Sequence, residues 1–241
     1  MVALAYRPSL QARFRLRFLV RPRWGQLGPI LRVGLPQGLG DFTEIAFFLA
    51  FFAIVGRLGE VPLAANNIAI QVTHLLYLPG VAAGIAAGAY MGRFLGAGAP
   101  DVAQAAARRT LRVGLAYMGL MGLPLWFFGG PIAGLFSEDP RVIRQAALLL
   151  KLMALYQVFD GLGIILRGAL SGAGDTRFSL LVLLGVGSTV MLPTAWLLAG
   201  WIEPPLLGAW LGVFAHFVVL GLVLYWRFRG GSWRNAGVEV R

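Results

Sequence analysis

The chain has no cysteine among its 241 residues. A disulfide framework, a thiolate metal site and a cysteine nucleophile are excluded at once. Its only lysine is Lys151, which follows no glycine-rich turn, so a phosphate-binding loop of the Walker type has nothing to build on. A glycine-flanked nucleophile elbow is also missing. Charge is scarce, at 13% of residues, and acids are scarcer still, with 10 Asp and Glu against 21 Lys and Arg. Few charges and 58% hydrophobic residues exclude ordinary soluble and disordered classes.

What remains is apolar sequence in long runs. Six segments are predicted to cross a bilayer, over residues 33–55, 63–90, 113–135, 146–166, 180–201 and 206–226. Each is about as long as a hydrocarbon core of roughly 30 Å demands. The second is long, and Pro79-Gly80 is expected to kink or break it. The fold class is thus an all-α membrane protein with six transmembrane helices.

The net charge of +11 raises the question of nucleic acid. Its distribution answers against that partner. Six spans leave both termini on one side, together with the connections after the second and fourth spans. That side collects Arg7 to Arg32 at the start, then Arg93, Arg108, Arg109, Arg112, Arg167 and Arg177, then Arg227 to Arg241 at the end. The opposite side and its flanks hold Arg57, Arg141, Arg144 and Lys151. This is the positive-inside bias, and it predicts cytoplasmic termini. Residues 1–32 are no secretory signal, because an apolar core is missing and arginine runs throughout. They read either as an interfacial segment on an anionic membrane face or as a disordered basic linker.

Helix punctuation marks the connections. Asp101, with Gln104 three residues on, resembles a capping box after Gly96-Ala97-Gly98-Ala99-Pro100. The stretch from there through Arg112 is expected to start along the cytoplasmic surface. Asp139 before Pro140 is a second cap, and Asp175 after Gly172-Ala173-Gly174 a third.

Three carboxylates do not belong in such apolar surroundings. Asp41 and Glu44 interrupt the first span, and Asp160 interrupts the fourth. A charge at the bilayer centre costs roughly 2.5–3.5 kcal/mol on insertion scales, so these groups should face a protein interior or a watery cavity. Gln37, Asp41 and Glu44 share one helix face at i, i+4, i+7. Asn67, Gln71 and His74 repeat that spacing in the second span. Tyr156 and Asp160 stand at i, i+4 in the fourth, with Gln157 beside them. Three such stripes facing inward would line one cavity. Polar side chains also serve as glue between membrane helices, at about 0.6 kcal/mol each. That reading suits Asn66, Gln71, Ser188 and Thr189, and it weighs equally with function for Asp41. A carboxylate is expensive glue, which leaves Glu44 and Asp160 as the ion- or proton-handling candidates. His74 and His216 have no companion metal ligands. Gly172-Ala173-Gly174-Asp175 matches the GxGD of intramembrane aspartyl proteases only by letter, since Asp175 lies at a turn beside Arg177.

Taken in order, several weak motifs acquire meaning. Gly34-Leu35-Pro36 precedes Glu44 by eight residues counted from the proline. Val55-Gly56-Arg57-Leu58-Gly59 and Leu63-Ala64-Ala65-Asn66-Asn67-Ile68-Ala69 come next, then Gly92-Arg93-Phe94-Leu95-Gly96-Ala97-Gly98. Tyr156-Gln157-Val158-Phe159-Asp160-Gly161 leads on to Arg167-Gly168-Ala169-Leu170-Ser171-Gly172-Ala173-Gly174-Asp175-Thr176-Arg177. Over roughly residues 30–226 this succession resembles the C-terminal lobe of the multidrug and toxic compound extrusion (MATE) transporters.

The resemblance implies one six-helix lobe of a twelve-helix, pseudo-two-fold transporter and efflux of small cationic or aromatic compounds in exchange for Na+ or H+. Residues 1–32 would be a basic cytoplasmic connection, 33–226 the transmembrane lobe and 227–241 a cytoplasmic tail, in the inner membrane. The family's coupling carboxylates and tyrosine match Glu44, Asp160 and Tyr156, with Glu44 and Asp160 the Na+ ligands if sodium drives transport. Asp41, Asn67, Gln71, Gln37 and Gln157 are expected to line the cavity. Asn67 stands where a glutamine is common, and Asp41 lies outside the family pattern. No cofactor, enzymatic activity or nucleic-acid partner is implied. The partners are drug-like substrates, the lipid bilayer and an N-terminal lobe from the same gene or another chain. A lipid-linked saccharide flippase of the same wider superfamily and a non-transporting membrane scaffold are the alternatives.

Overall fold

The structure is a computed structural model and describes residues 27–235. The readings made for residues 1–26 and 236–241 lie outside them. Six long helices succeed one another: α1 (Leu27–Gly56), α2 (Glu60–Gly96), α3 (Pro100–Gly134), α4 (Pro140–Gly172), α5 (Thr176–Ala199) and α6 (Pro205–Gly230). A short 3-10 turn, Ser232–Asn235, comes after α6. All six are long and apolar enough to cross a membrane. Helix α4 packs most extensively on α2 and α3 and then on α6, while among the described residues the backbone of α1 approaches no other helix closely. The chain divides into the units Met1–Arg32 and Val33–Arg241. The described part of the first is the beginning of α1, and the second holds the helix bundle.

Proline and glycine set the helix ends. Pro100, Pro140 and Pro205 occupy first-turn positions, where a missing N–H costs nothing. Gly98 and Gly174 adopt positive φ of 71° and 82° in two tight connections, which a side chain would resist. Asp139 caps α4 as expected, its carboxylate accepting from the Arg141 N–H at 2.8 Å. The Arg141 guanidinium beside it also holds the Asp139 carboxyl below its usual range. A lowered carboxyl contributes at pH above its ordinary value and loses that contribution as pH falls through its folded value. Asp139→Ala should therefore fray the first turn of α4 at neutral pH, seen as faster amide exchange at Arg141. Unchanged protection there would refute the cap.

Several expectations need correction. The helices outrun the apolar windows, because a charged residue ends a hydropathy run without ending backbone hydrogen bonding. The arginine-rich stretch through Arg112 is helical as expected and forms the first third of α3, which runs on into the apolar span. Asp101 does not cap that helix, whose N-cap is Ala99. Asp101 and Gln104 instead both accept from Arg234 of the segment after α6, at 2.7 and 2.8 Å. Asp175 does stand at the N-cap of α5, but makes no capping bond. Its carboxylate pairs with Arg227 at 2.8 Å. Helix α2 passes Pro79 unbroken, and the backbone kink falls in α3 at Phe128, three residues before Pro131, on the side where a proline ring crowds the preceding turn. Residue 226 marks no helix end, since α6 continues to Gly230.

Helices α4 and α6 are the most buried, and α1 is the least. Two apolar clusters lie along α4. One gathers Leu149, Leu150, Met153 and Tyr156 with Phe51, Trp210 and Phe217. The other gathers Ile165, Leu166 and Leu170 with Met91, Leu224 and Phe228. Asp160 falls between them. Small residues let α2 and α4 approach closely: a Cβ on Gly88 would stand 2.8 Å from the Gly168 carbonyl oxygen. Helix α1 meets the bundle through side chains. Phe47 packs on Gly187, inside a π turn of α5 (Gly187–Met191), and Phe51 packs edge-on against Trp210 at 5.3 Å.

Candidate functional site

Two cavities lie between α1 and the rest of the bundle. The first, of about 410 Å³, is walled by Glu44, Phe48 and Phe52 of α1, Thr73, His74 and Tyr77 of α2, Tyr156 and Asp160 of α4, and Trp210 and Phe217 of α6. The second, of about 650 Å³, is walled by Gln37 and Asp41 of α1, Arg167 and Ser171 of α4, and Thr176 and Ser179 of α5. Tyr77 borders both.

The first cavity is mostly aromatic and aliphatic, with two carboxylates. Asp160 is buried, and among the described residues no cationic side chain pairs with it. Aromatic rings brace the wall behind it. Tyr156 stacks on Trp210 with ring centroids 6.2 Å apart and on Phe217 at 5.1 Å. Trp210 is itself fixed, donating from Nε1 to Asn66 Oδ1 at 3.0 Å. The Thr73 hydroxyl lies 2.7 Å from the Ala69 carbonyl of its own helix and 2.8 Å from the Met153 sulfur of α4. Carboxylate, phenol and hydroxyl oxygens on a low-dielectric wall suit a hard monovalent cation or a proton. Among the described residues no three His, Asp or Glu side chains cluster as a metal cage would need. A sodium ion there would be cargo, completing its shell from Tyr156, Thr73 and water.

Glu44 is the link between the cavities. Its Oε2 accepts from Arg167 Nη1 at 2.5 Å. The other arm of that guanidinium, Nη2, lies 3.8 Å from Asp41 Oδ1. One turn further along α4, the Ser171 hydroxyl donates to Gln37 Oε1 at 2.6 Å. The polar stripe of α1 therefore faces α4 over its whole length. Arg167 is not the loop residue that the hydropathy window suggested. Helix α4 continues past Leu166 to Gly172, and Glu44 neutralises the charge the window read as a boundary.

The structure brings Glu44, Tyr156 and Asp160 to one cavity, and Gln37 and Asp41 to its neighbour. It does not bring Asn67 or Gln71 to either. Both are exposed. The wall of α2 is Ile70, Thr73, His74 and Tyr77, so of the expected stripe only His74 borders the cavity, at its edge. Helix α2 is apolar nearly all round, so periodicity gave little orientation, and the polar stripe overlaps the cavity wall only at His74. The buried amide is the neighbouring Asn66, held by Trp210. Gln157 is buried, lines neither cavity, and has no hydrogen-bond partner for either amide atom among the described residues. Tyr77 was missed. It stands three residues after His74, so the spacing already in hand extends to it.

Comparison with known proteins places this architecture. The MatE family model matches residues 36–197. A probable multidrug resistance protein NorM of Thermotoga maritima is 28% identical over 229 residues, covering 95% of this chain and 49% of its own length. A multidrug resistance protein NorM of Burkholderia vietnamiensis is 33% identical over 227 residues, covering 91% of this chain and 49% of its own length. The chain thus spans about half the length of the curated relatives it matches. Among solved structures, the outward-facing conformation of a multidrug resistance MATE family transporter of the MOP superfamily superposes with a TM-score of 0.85 at 19% identity, over 95% of this chain and 52% of its own. Six helices, a family model across most of the bundle and relatives twice as long agree: the chain belongs to the multidrug and toxic compound extrusion family, as one six-helix half of its architecture.

Proposed function

We propose that this chain is the C-terminal half of a secondary transporter that expels cationic or aromatic compounds in exchange for Na+ or H+. The observation that carries the proposal is the meeting of Glu44 from α1 and Asp160 from α4 in one cavity, with Tyr156 beside them. Asp160 has no cationic partner among the described residues and Glu44 shares Arg167 with Asp41, so a cation or proton entering this low-dielectric cavity relieves the remaining negative charge. Binding that cation favours one orientation of the two halves over the other, and this difference is what drives the change. The NorM relatives are multidrug resistance proteins, which supports the substrate class. A flippase for a lipid-linked saccharide would want free cationic groups for a pyrophosphate. Here Arg167 is committed to acids, which disfavours that alternative.

On this reading the other half of the cavity wall comes from an N-terminal lobe. Expressed alone in a drug-sensitive strain, the chain should insert without conferring resistance. Co-expression with an N-terminal MATE half should restore efflux, measured as dye extrusion. Robust extrusion by the isolated chain would replace this reading with a dimer of identical halves.

The proposed setting is the inner membrane with both termini cytoplasmic, which puts Glu60, Glu138 and Glu203 near the outer face. The absence of native cysteine makes the test clean. A cysteine introduced at position 138 should react with a membrane-impermeant thiol reagent added to intact cells. Reaction only after the cytoplasmic side is opened would invert the orientation.

A further inference from the structure

We propose that Arg167 is a resident counter-cation: it holds Glu44 while no transported cation is bound, shifts to Asp41 when one binds, and so sets how tightly the site holds its ion. This inference rests on the proposed role of Glu44 and Asp160 and adds two residues to it, one of which the sequence left undecided between function and glue.

The geometry carries the argument. Arg167 reaches Glu44 at 2.5 Å and stands 3.8 Å from Asp41. These acids lie one helical turn apart on α1, matched to the two arms of a planar guanidinium. Arginine keeps its charge in any protein environment, and its side chain here is only 27% exposed. A charge so enclosed is costly without a partner, so it leaves one carboxylate only for another. Asp41 supplies that partner. Its side chain is 59% exposed, on the wall of the larger and more polar cavity. Asp160 in the first cavity has no cationic partner among the described residues, so a cation entering there meets one free carboxylate and one already occupied.

Charge balance gives the shift its direction. The three carboxylates, if ionised, outnumber the one guanidinium by two. A sodium ion between Glu44 and Asp160 reduces that excess to one and removes the need for Arg167 at Glu44. The guanidinium then pairs with Asp41, closer to the polar cavity. Occupancy of Glu44 by sodium and by Arg167 is mutually exclusive, so each weakens the other by the same factor. A site that bound sodium without this opposition would be slow to release it. Tyr77 and the Arg167–Glu44 pair also form the partition between the two cavities, so the shift would thin that partition while the ion is bound.

Binding of radioactive sodium to the full 241-residue chain in lipid nanodiscs tests this. Arg167→Gln should tighten sodium binding about tenfold, the middle of the usual range for coupled sites. Arg167→Lys, whose ammonium cannot bridge both acids, should tighten it by a smaller factor. It also keeps the test open if Arg167→Gln fails to fold. Asp41→Asn should weaken binding severalfold in the native background and have little effect alongside Arg167→Gln. That pattern separates a second resting place for the guanidinium from a general field effect, which would persist in both backgrounds. Sodium affinity that is unchanged or weaker in folded Arg167→Gln and Arg167→Lys overturns the proposal, as does a chain that binds no sodium in any variant. Glu44→Gln distinguishes the two levels. If it weakens binding while the Arg167 variants change nothing, the coupling site stands and the counter-cation falls. If Glu44→Gln also changes nothing, both fall.

Discussion

Asp160→Asn, in the chain assembled with an N-terminal half, should abolish uphill drug extrusion while leaving membrane insertion intact. Glu44→Gln should do the same to a lesser degree, because Arg167 partly occupies that carboxylate already. Loss of a carboxylate that touches the ion should cost at least about 100-fold in sodium affinity, the upper end of what even an outer-shell partner of a bound ion contributes. Asp160 is the more sensitive of the pair. It is buried and free of cationic partners among the described residues, so its charge is not already committed as that of Glu44 is to Arg167. Sodium and protons should compete for one site in the native protein and cease to compete in Asp160→Asn. The readout is sodium binding at several pH values, together with dye extrusion driven by an imposed ion gradient in proteoliposomes. Undiminished sodium affinity and gradient-driven extrusion in both variants would place the coupling site elsewhere. The amide is nearly isosteric, so a folding defect is not the expected cause of failure. A scaffold protein would tolerate both changes without any functional loss.

The acids were legible because a carboxylate in an apolar run is conspicuous whatever surrounds it. The partner of Glu44 was not. Arg167 comes directly after Ile164-Ile165-Leu166, where falling hydropathy reads as the end of a span, and only the third dimension brings the first and fourth helices together. Hydropathy measures the cost of lipid contact, whereas α4 keeps its hydrogen bonds to Gly172 because other helices surround it. The same logic set the first third of α3 outside its span, although polar Asp101 to Arg112 belong to one helix with it. The spacing of Gln37, Asp41 and Glu44 did indicate one face, and all three contact α4. In α2 the same argument reached the cavity only at His74, because polarity alone cannot say whether an amide faces a cavity or an exposed flank. Asn66 and Asn67 are adjacent, chemically identical and opposite in burial. Only Trp210, 144 residues away, decides which is inside.

The seam between α2 and α4 is packed backbone to backbone, so filling it should be strongly damaging although it lies away from the carboxylates. Gly84 and Gly88 stand one turn apart on α2, against Gly168 and Gly172 on α4. A Cβ at Gly84 would lie 3.0 Å from the Ile164 carbonyl oxygen, and one at Gly88 would lie 2.8 Å from that of Gly168. On Gly168 or Gly172 it would overlap the carbonyl of Gly84 or Gly88. Backbone cannot swing aside as the end of a side chain can. Relief therefore requires the helices to part, and close packing is what holds helices together where lipid is as apolar as they are. Overpacking of this kind costs typically about 1–3 kcal/mol and occasionally more, and contact with backbone puts Gly168→Val at the upper end. Gly185→Ala is the matched control. Nothing lies within 4 Å of the added methyl, and alanine is the better helix former by about 1 kcal/mol. Unfolding in nanodiscs, followed by tryptophan fluorescence, should show a large drop in midpoint for Gly168→Val and none for Gly185→Ala. Equal midpoints for the two would mean the seam does not carry the fold. Gly168 directly follows Arg167, and Ser171 directly precedes Gly172. Parting α4 from α2 therefore also turns the guanidinium and hydroxyl that grip α1. Sodium affinity in Gly168→Val should fall at temperatures where the protein is still helical, because the site loses its geometry before the helices lose their hydrogen bonds.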